Sequence, residues 1–173
     1  MKSAVFYLTF LFSLTAFSQA FKLTEGYKIS FSNPDVSGTF DVMSSSSLYF
    51  DEAKLSNSKL SFKIEVASIN TGNGLQNKHA RGEEWFDADT YPYIEFTSTK
   101  IEKSNDGYKA IGKLQMHGIS KEVSIPFTFS RKGNKATFVA KFSVNRSDYQ
   151  IGKKNSGVAE TIKINASIPV VKK

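Results

Sequence analysis

Between residues 79 and 89 the chain sets one histidine, His79, near four carboxylates, Glu83, Glu84, Asp87 and Asp89, with its only tryptophan, Trp85, among them. A histidine flanked by carboxylates is the material of a general base with its orienting partner, or of part of a metal site. The metal reading has little to draw on: the chain holds two histidines and no cysteine, and neither a His-x-x-x-His nor a Glu-x-x-His spacing occurs. No Gly-x-Ser-x-Gly elbow or phosphate-cradling glycine loop is present. Gly72-Asn73-Gly74 reads as a turn that needs positive φ. Trp85-Phe86 has two readings, an aromatic plug closing one end of a core or the apolar wall of a binding mouth. In the second, His79, Arg81 or Tyr91 supplies a polar contact.

These residues sit in a connection of about two dozen residues, far longer than a tight hairpin needs. Before it, Leu60, Phe62, Ile64 and Val66 alternate with Ser61, Lys63 and Glu65, the period of two of a half-buried strand. After it, Tyr91-Pro92 opens a second strand through Ile94 and Phe96. A helical period is confined to the Gln76 to Trp85 region, which is expected to hold one or two short turns.

The same alternation recurs along the chain: Tyr27, Ile29, Phe31; Phe40, Val42; Ala110, Gly112, Leu114, Met116; Val123, Ile125, Phe127, Phe129. It continues through Ala136, Phe138, Ala140, Phe142, Val144 and ends with Ile162, Ile164, Ala166, Ile168, Val170. Turn signals separate the runs at Asn33-Pro34-Asp35, Asn105-Asp106-Gly107, Lys132-Gly133-Asn134 and Lys153 to Gly157. Ser44 to Ser47 read as a polar loop, His117 before Gly118 as a strand end, and Arg146 with Asp148 as an ion pair fixing a loop. The chain is therefore all-β and antiparallel, with seven to nine strands closing as a sandwich or a barrel. Two features favour a barrel around a space: small residues alternate with large ones on the inward face from Ala136 to Phe142, and Gly112 lets a strand bend. Periodicity does not decide between a packed interior and one holding a ligand. It also fits an outer-membrane barrel with its apolar face outward.

The first twenty residues have the form of a signal peptide, with Lys2, an apolar run from Ala4 to Phe12, and small residues permitting cleavage after Ser18 or Ala20. About 14 apolar residues fall short of the ~20 a spanning helix needs. The remainder, 21–173, is expected to be a single domain in a periplasmic or extracellular protein stabilised without disulfides. Loss of Lys2 takes the formal charge from +7 to +6. That charge is carried mostly by lysine, spread over outer strand faces rather than gathered with arginine and aromatics as in a nucleic-acid reader. Solubility accounts for it, and attraction to anionic headgroups is the sharper alternative.

A run of landmarks resembles the YceI-like family of lipid or polyisoprenoid-binding domains. They are Ser68 to Asn73, Asn77-Lys78-His79, Trp85-Phe86-Asp87, Tyr91 to Thr99, Gly112 to Lys121 and Arg146 to Tyr149, and the resemblance covers about Tyr27 to Val171. It implies an eight-stranded, lipocalin-like antiparallel barrel, with one long loop containing short helical turns, around an apolar channel for a long amphiphile. Two positions depart from the family pattern: Gln76 stands where a basic residue is usual, and Ala80 where leucine usually follows the histidine. On this reading Phe62, Ile64, Val66, Phe96, Leu114, Met116, Phe127, Phe129, Phe138, Phe142 and Ile164 line the channel, with His79, Trp85, Tyr91 and Tyr149 nearer a mouth. The expected partner is an isoprenoid or other lipid-like molecule, with a homodimer admitted, and no cofactor, metal or nucleic acid. The competing function is an enzyme acting on an isoprenoid or sugar-lipid through His79 with Asp87 or Asp89.

Overall fold

A computed structural model describes residues 19–173, so most of the leader lies outside the described residues. Eleven strand segments form one antiparallel sheet: β1 (Phe21–Leu23), β2 (Lys28–Ser32), β3 (Ser37–Phe40), β4 (Met43–Tyr49), β5 (Lys59–Glu65), β6 (Ile69–Asn70), β7 (Tyr93–Ser104), β8 (Gly107–Met116), β9 (Ile119–Lys132), β10 (Lys135–Asn145) and β11 (Thr161–Lys172). Six of the segments are halves of three kinked ribbons. β1 and β2 both pair with β11. β3 pairs with β2, and β4 reaches back to the first ribbon through the Ala20–Tyr49 bridge. β5 pairs with β4, and β6, beyond a 3-10 turn at Val66–Ser68, pairs with β3. The ribbons thus number eight, run in chain order, and close where β11 meets β1 and β2. β9 and β10 pair only along Phe127–Lys132 and Lys135–Ala140, so the stretch of β9 from Ile119 to Pro126 is paired on one side alone, with β8.

Alternation sets inside and outside. Across the outer wall the register aligns Lys63, Glu95, Gln115 and Ser120, a polar band over four ribbons, while Phe62, Phe96 and Leu114 align on the inner wall. An outer-membrane barrel would present its apolar residues on the first of these rows, so that alternative does not fit. Two-residue turns close three hairpins at Asn105-Asp106, His117-Gly118 and Gly133-Asn134. His117 and Gly118 both take positive φ, 48° and 73°, as a primed turn requires. Ser44 to Ser47 are a strand rather than the expected loop: they lie in β4, where a bulge between Ser45 and Ser47 offsets the register and Ser46 Oγ bonds Ser61 Oγ at 3.0 Å.

Gly112 marks a second bulge, between Ser98 and Lys100 of β7. A Cβ there would sit 2.2 Å from the Thr97 carbonyl oxygen and 2.6 Å from Ser98 Cα. Beside the bulge, the Leu60 N–H donates to the buried Ser98 Oγ at 2.9 Å. Gly112→Val is expected to cost roughly 3 kcal/mol or more, because backbone rather than a movable side chain occupies the space. A shift of the urea midpoint measures it, and an unshifted midpoint would contradict this packing.

One end of the barrel is shut by aromatic rings. Phe50, 1% exposed, stands 4.7 Å from Phe129 and 5.5 Å from Phe138, Phe21 meets Phe129 at 5.7 Å, and Tyr108 stacks on Phe127 at 5.4 Å. These offset and edge contacts are the favourable ring geometries. The other end carries the long connection, with α1 (Gly74–Arg81) capped by Asn73, whose side-chain oxygen accepts from Leu75 N and Gln76 N.

Candidate functional site

Above the aromatic floor lies a cavity of about 410 Å³. Its wall combines inward residues of nearly every ribbon, and only Asp35, Thr71, Gln76, His79 and Arg146 contribute polar groups. Small side chains stand side by side on the inner wall where β10 meets β11, which leaves room there: Ala140 is in register with Ala166, and both line the cavity. Large neighbours at Phe138 and Phe142 keep the shaft apolar above and below that gap.

Of the fifteen residues expected to line a channel or its mouth, nine line the shaft: Phe62, Ile64, Phe96, Leu114, Met116, Phe127, Phe138, Phe142 and Ile164. His79 and Trp85 line it at the mouth. Four do not face it. Val66 is buried in the 3-10 turn after β5, where its N–H donates to the Pro92 carbonyl, because the turn rotates it out of the strand's alternation. Phe129 belongs to the floor cluster. Tyr91 packs edge-on against His117, with Gly118 beneath its ring. Tyr149, 2% exposed, ends a 3-10 turn, and burial first, then the nearby Asp148 charge, raises its phenol above the ordinary value. Its carbonyl accepts from His117 Nδ1 at 3.1 Å, which fixes the proton on that nitrogen. These last two tyrosines brace the rim.

Three segments form the mouth. The β2–β3 turn is tied by Asn33 Oδ1, which accepts from Asp35 N and Val36 N, and Asp35 Oδ2 accepts from Ala159 N at 2.7 Å. α1 contributes Gln76, His79 and Ala80, followed by Trp85 and Phe86, which stand in the mouth wall and pack against the core. The third is the 146–160 loop, which reaches the cavity through Ile151 and Val158.

Arg146 organises that loop. It is 4% exposed and donates to the carbonyls of Ile151, Lys153, Val158 and Ala159 and to Ser156 Oγ, at 2.6 to 3.3 Å. Its guanidinium lies 5.3 Å from the Trp85 ring, a cation–π contact that joins the loop to the wall after α1. The expected Arg146–Asp148 pair is absent: Asp148 points outward to Lys121 at 3.1 Å. A guanidinium has five N–H groups in a planar fork, and a loop turning around it offers enough carbonyls to use them all.

The comparisons with known proteins follow this geometry. The YceI-like domain family matches residues 15–170. The chain belongs to the YceI-like family. Among curated relatives, UPF0312 protein YE1254 of Yersinia enterocolitica and a UPF0312 protein of Yersinia pestis are each 29% identical over 111 residues, 61% of this chain and 58% of theirs. The match thus spans little more than half the length of those relatives. Solved YceI-like barrels superpose more fully: Burkholderia cenocepacia BcnA has a TM-score of 0.77 at 29% identity, covering 83% of this chain and 95% of that one. The Campylobacter jejuni YceI protein scores 0.73 at 26%, covering 82% and 88%. A polyisoprenoid binding domain from Saccharophagus degradans, at 14% identity and a TM-score of 0.67 over 91% and 99%, shares the fold.

The catalytic alternative in this YceI-like chain invokes His79 with Asp87 or Asp89. Among the described residues His79 forms no hydrogen bond or ion pair with Asp87 or Asp89, and no three His, Cys, Asp or Glu side chains gather as a metal site. Asp87 takes φ 45° and uses its carbonyl to cap the turn, accepting from Thr90 N and Tyr91 N. Glu84 instead pairs with Lys153 at 2.7 Å, and that hydrogen bond lowers the carboxyl and raises the ammonium from their ordinary values. The pair is exposed and latches the helix connection to the 146–160 loop at little energetic gain. Sequence reading missed Asp35, Val36, Ile151 and Val158, which enter from loops where no period reveals direction. Asn33-Pro34-Asp35 marked the turn, but not that it leans over a cavity.

Proposed function

We propose that this chain is a non-catalytic carrier, store or sensor in the cell envelope that holds one long-chain amphiphile, of the polyisoprenoid class, in its barrel. The observation that carries this reading is the cavity: apolar along its shaft, closed below by aromatic rings, with its few polar side chains at the mouth and in the loops around it. A ligand suited to it has a hydrocarbon tail and a polar head near Gln76 and His79. Burial of about 300 Å² of apolar surface contributes roughly 7 kcal/mol before ordering costs, enough for micromolar binding when those costs are small. The polyisoprenoid binding described for the Saccharophagus degradans domain supports the class of ligand. Organic extraction of the purified protein followed by mass spectrometry is expected to release a stoichiometric prenyl lipid or related amphiphile. Repeated recovery of empty protein that also fails to take up farnesol or longer prenyl alcohols would overturn the proposal.

We propose that the first residues act as an export leader, and the bonds made by Gln19 and Ala20 support cleavage after Ser18. Gln19 O accepts from Phe50 N at 3.0 Å, Ala20 O accepts from Lys173 N at 2.9 Å, and the Ala20–Tyr49 bridge joins the first ribbon to β4. Cleavage after Ala20 would delete these bonds, so the exported chain is expected to begin at Gln19. Intact mass of the secreted protein checks this, and a mass starting at Phe21 would refute it.

A further inference from the structure

The net charge of the described residues is gathered at the closed end of the barrel. Segments around the aromatic floor (19–23, 50–59, 100–109, 131–135 and 171–173) carry eleven Lys and Arg against four Asp and Glu. Segments around the mouth (33–36, 66–92, 117–121 and 146–160) carry six against seven. The molecule therefore has a basic pole and a nearly neutral one.

The basic pole contains an ordered row. Lys132 is in register with Lys135, Lys135 with Val171, and Val171 with Lys22, so three ammonium groups stand on the outer face across β9, β10, β11 and β1. Lys173 lies two residues beyond Val171 on the same face. All four lysine side chains are exposed, and none of their ammonium groups has a hydrogen-bond or ion-pair partner among the described residues. Like charges directly opposite in a hairpin are destabilising. Elsewhere on the wall the chain avoids that cost by setting Lys63 of β5 opposite Glu95 of β7. A row left unpaired at one pole is not what solubility alone requires.

We infer that the closed end is a docking face for an anionic lipid surface, which holds the barrel with its mouth directed away from the bilayer. A surface of phosphate headgroups asks only for positive charge, at a gain of about fivefold in affinity per lysine near it. A nucleic-acid reader would add arginine forks and exposed aromatics, and the pole's rings are turned inward as the floor. The large apolar side chains that stand out most, Val42, Leu75 and Tyr93, lie in the mouth half, so the docking is electrostatic and not insertive. It is independent of what fills the cavity.

The test is co-sedimentation of the mature chain with phosphatidylcholine vesicles with and without phosphatidylglycerol. Binding is expected only to the anionic vesicles and should weaken steeply with salt. Lys132→Gln/Lys135→Gln should lower it about 30-fold with a thermal midpoint no lower than the parent, since a repulsion is removed. The mouth pair Lys78→Gln/Lys154→Gln should leave it within about twofold. Failure to bind anionic vesicles, equal binding to phosphatidylcholine alone, an equal loss from the mouth pair, or binding to duplex DNA in place of vesicles would each overturn the inference. Extraction of the bound amphiphile, as above, is read separately, so the two proposals fail independently.

Discussion

Ala140→Phe/Ala166→Phe is expected to bind long-chain amphiphiles about a hundredfold more weakly than the parent while remaining folded. The two alanines are cross-strand neighbours on one wall of the shaft, so two phenyl rings projecting from them would occupy the space they leave. Each 100 Å² of wall withdrawn from a tail forfeits about 2.5 kcal/mol, close to two decades in affinity. The substitution adds apolar volume to an existing space and forces no polar group into it, so stability should hold or rise. Titration with a fluorescent prenyl or fatty amphiphile measures affinity, and circular dichroism with a thermal scan reports the fold. A filled barrel that binds as tightly as the parent would show that the ligand, if any, is held elsewhere.

Arg146→Leu is expected to destabilise the protein by about 3 to 5 kcal/mol, the cost of breaking one side of a buried, charge-assisted network. The residue is 4% exposed, and its loss strands four carbonyls and a serine hydroxyl that no water replaces at once. The contact with Trp85 goes with it. Amide exchange should accelerate through 151–159 before the rest of the barrel, because those carbonyls anchor only that loop. Arg146→Lys keeps the charge but not the fork, and should recover only part of the loss. Since Ile151 and Val158 reach the cavity from this loop, weaker ligand retention should accompany the faster exchange. A denaturant midpoint within the equivalent of about 1 kcal/mol of the parent would show that the network contributes little.

The shaft of the cavity was legible in the sequence where strands are long. Phe62, Ile64, Phe96, Leu114 and Met116 follow from period two, since one face of each ribbon must turn away from water, and the structure places all five on the cavity wall. Alternation failed where the chain leaves the strand. Val66 continues the pattern on paper but sits in a 3-10 turn, and Phe129 keeps the inward face yet lies at the floor rather than beside the cavity. Phe50 and Phe21 drew no notice because each stands at a strand end, yet together with Phe138 they close the barrel.

Amino-acid order alone determined that this chain is an antiparallel all-β protein with an apolar inside, and the family landmarks brought the count to eight ribbons. Those are local properties: side-chain alternation and two-residue turns act over a few residues and need no distant partner. Tertiary structure decided that the inside is hollow above an aromatic floor, that Arg146 grips backbone carbonyls and not Asp148, and that the basic residues collect at the closed end. Each of these depends on closure, which brings β1 against β11 and sets Lys22 in line with Lys132 and Lys135 from more than a hundred residues away. Carbonyl directions in an irregular loop and the volume left in front of two neighbouring alanines are set by that closure, and no one-dimensional pattern carries them.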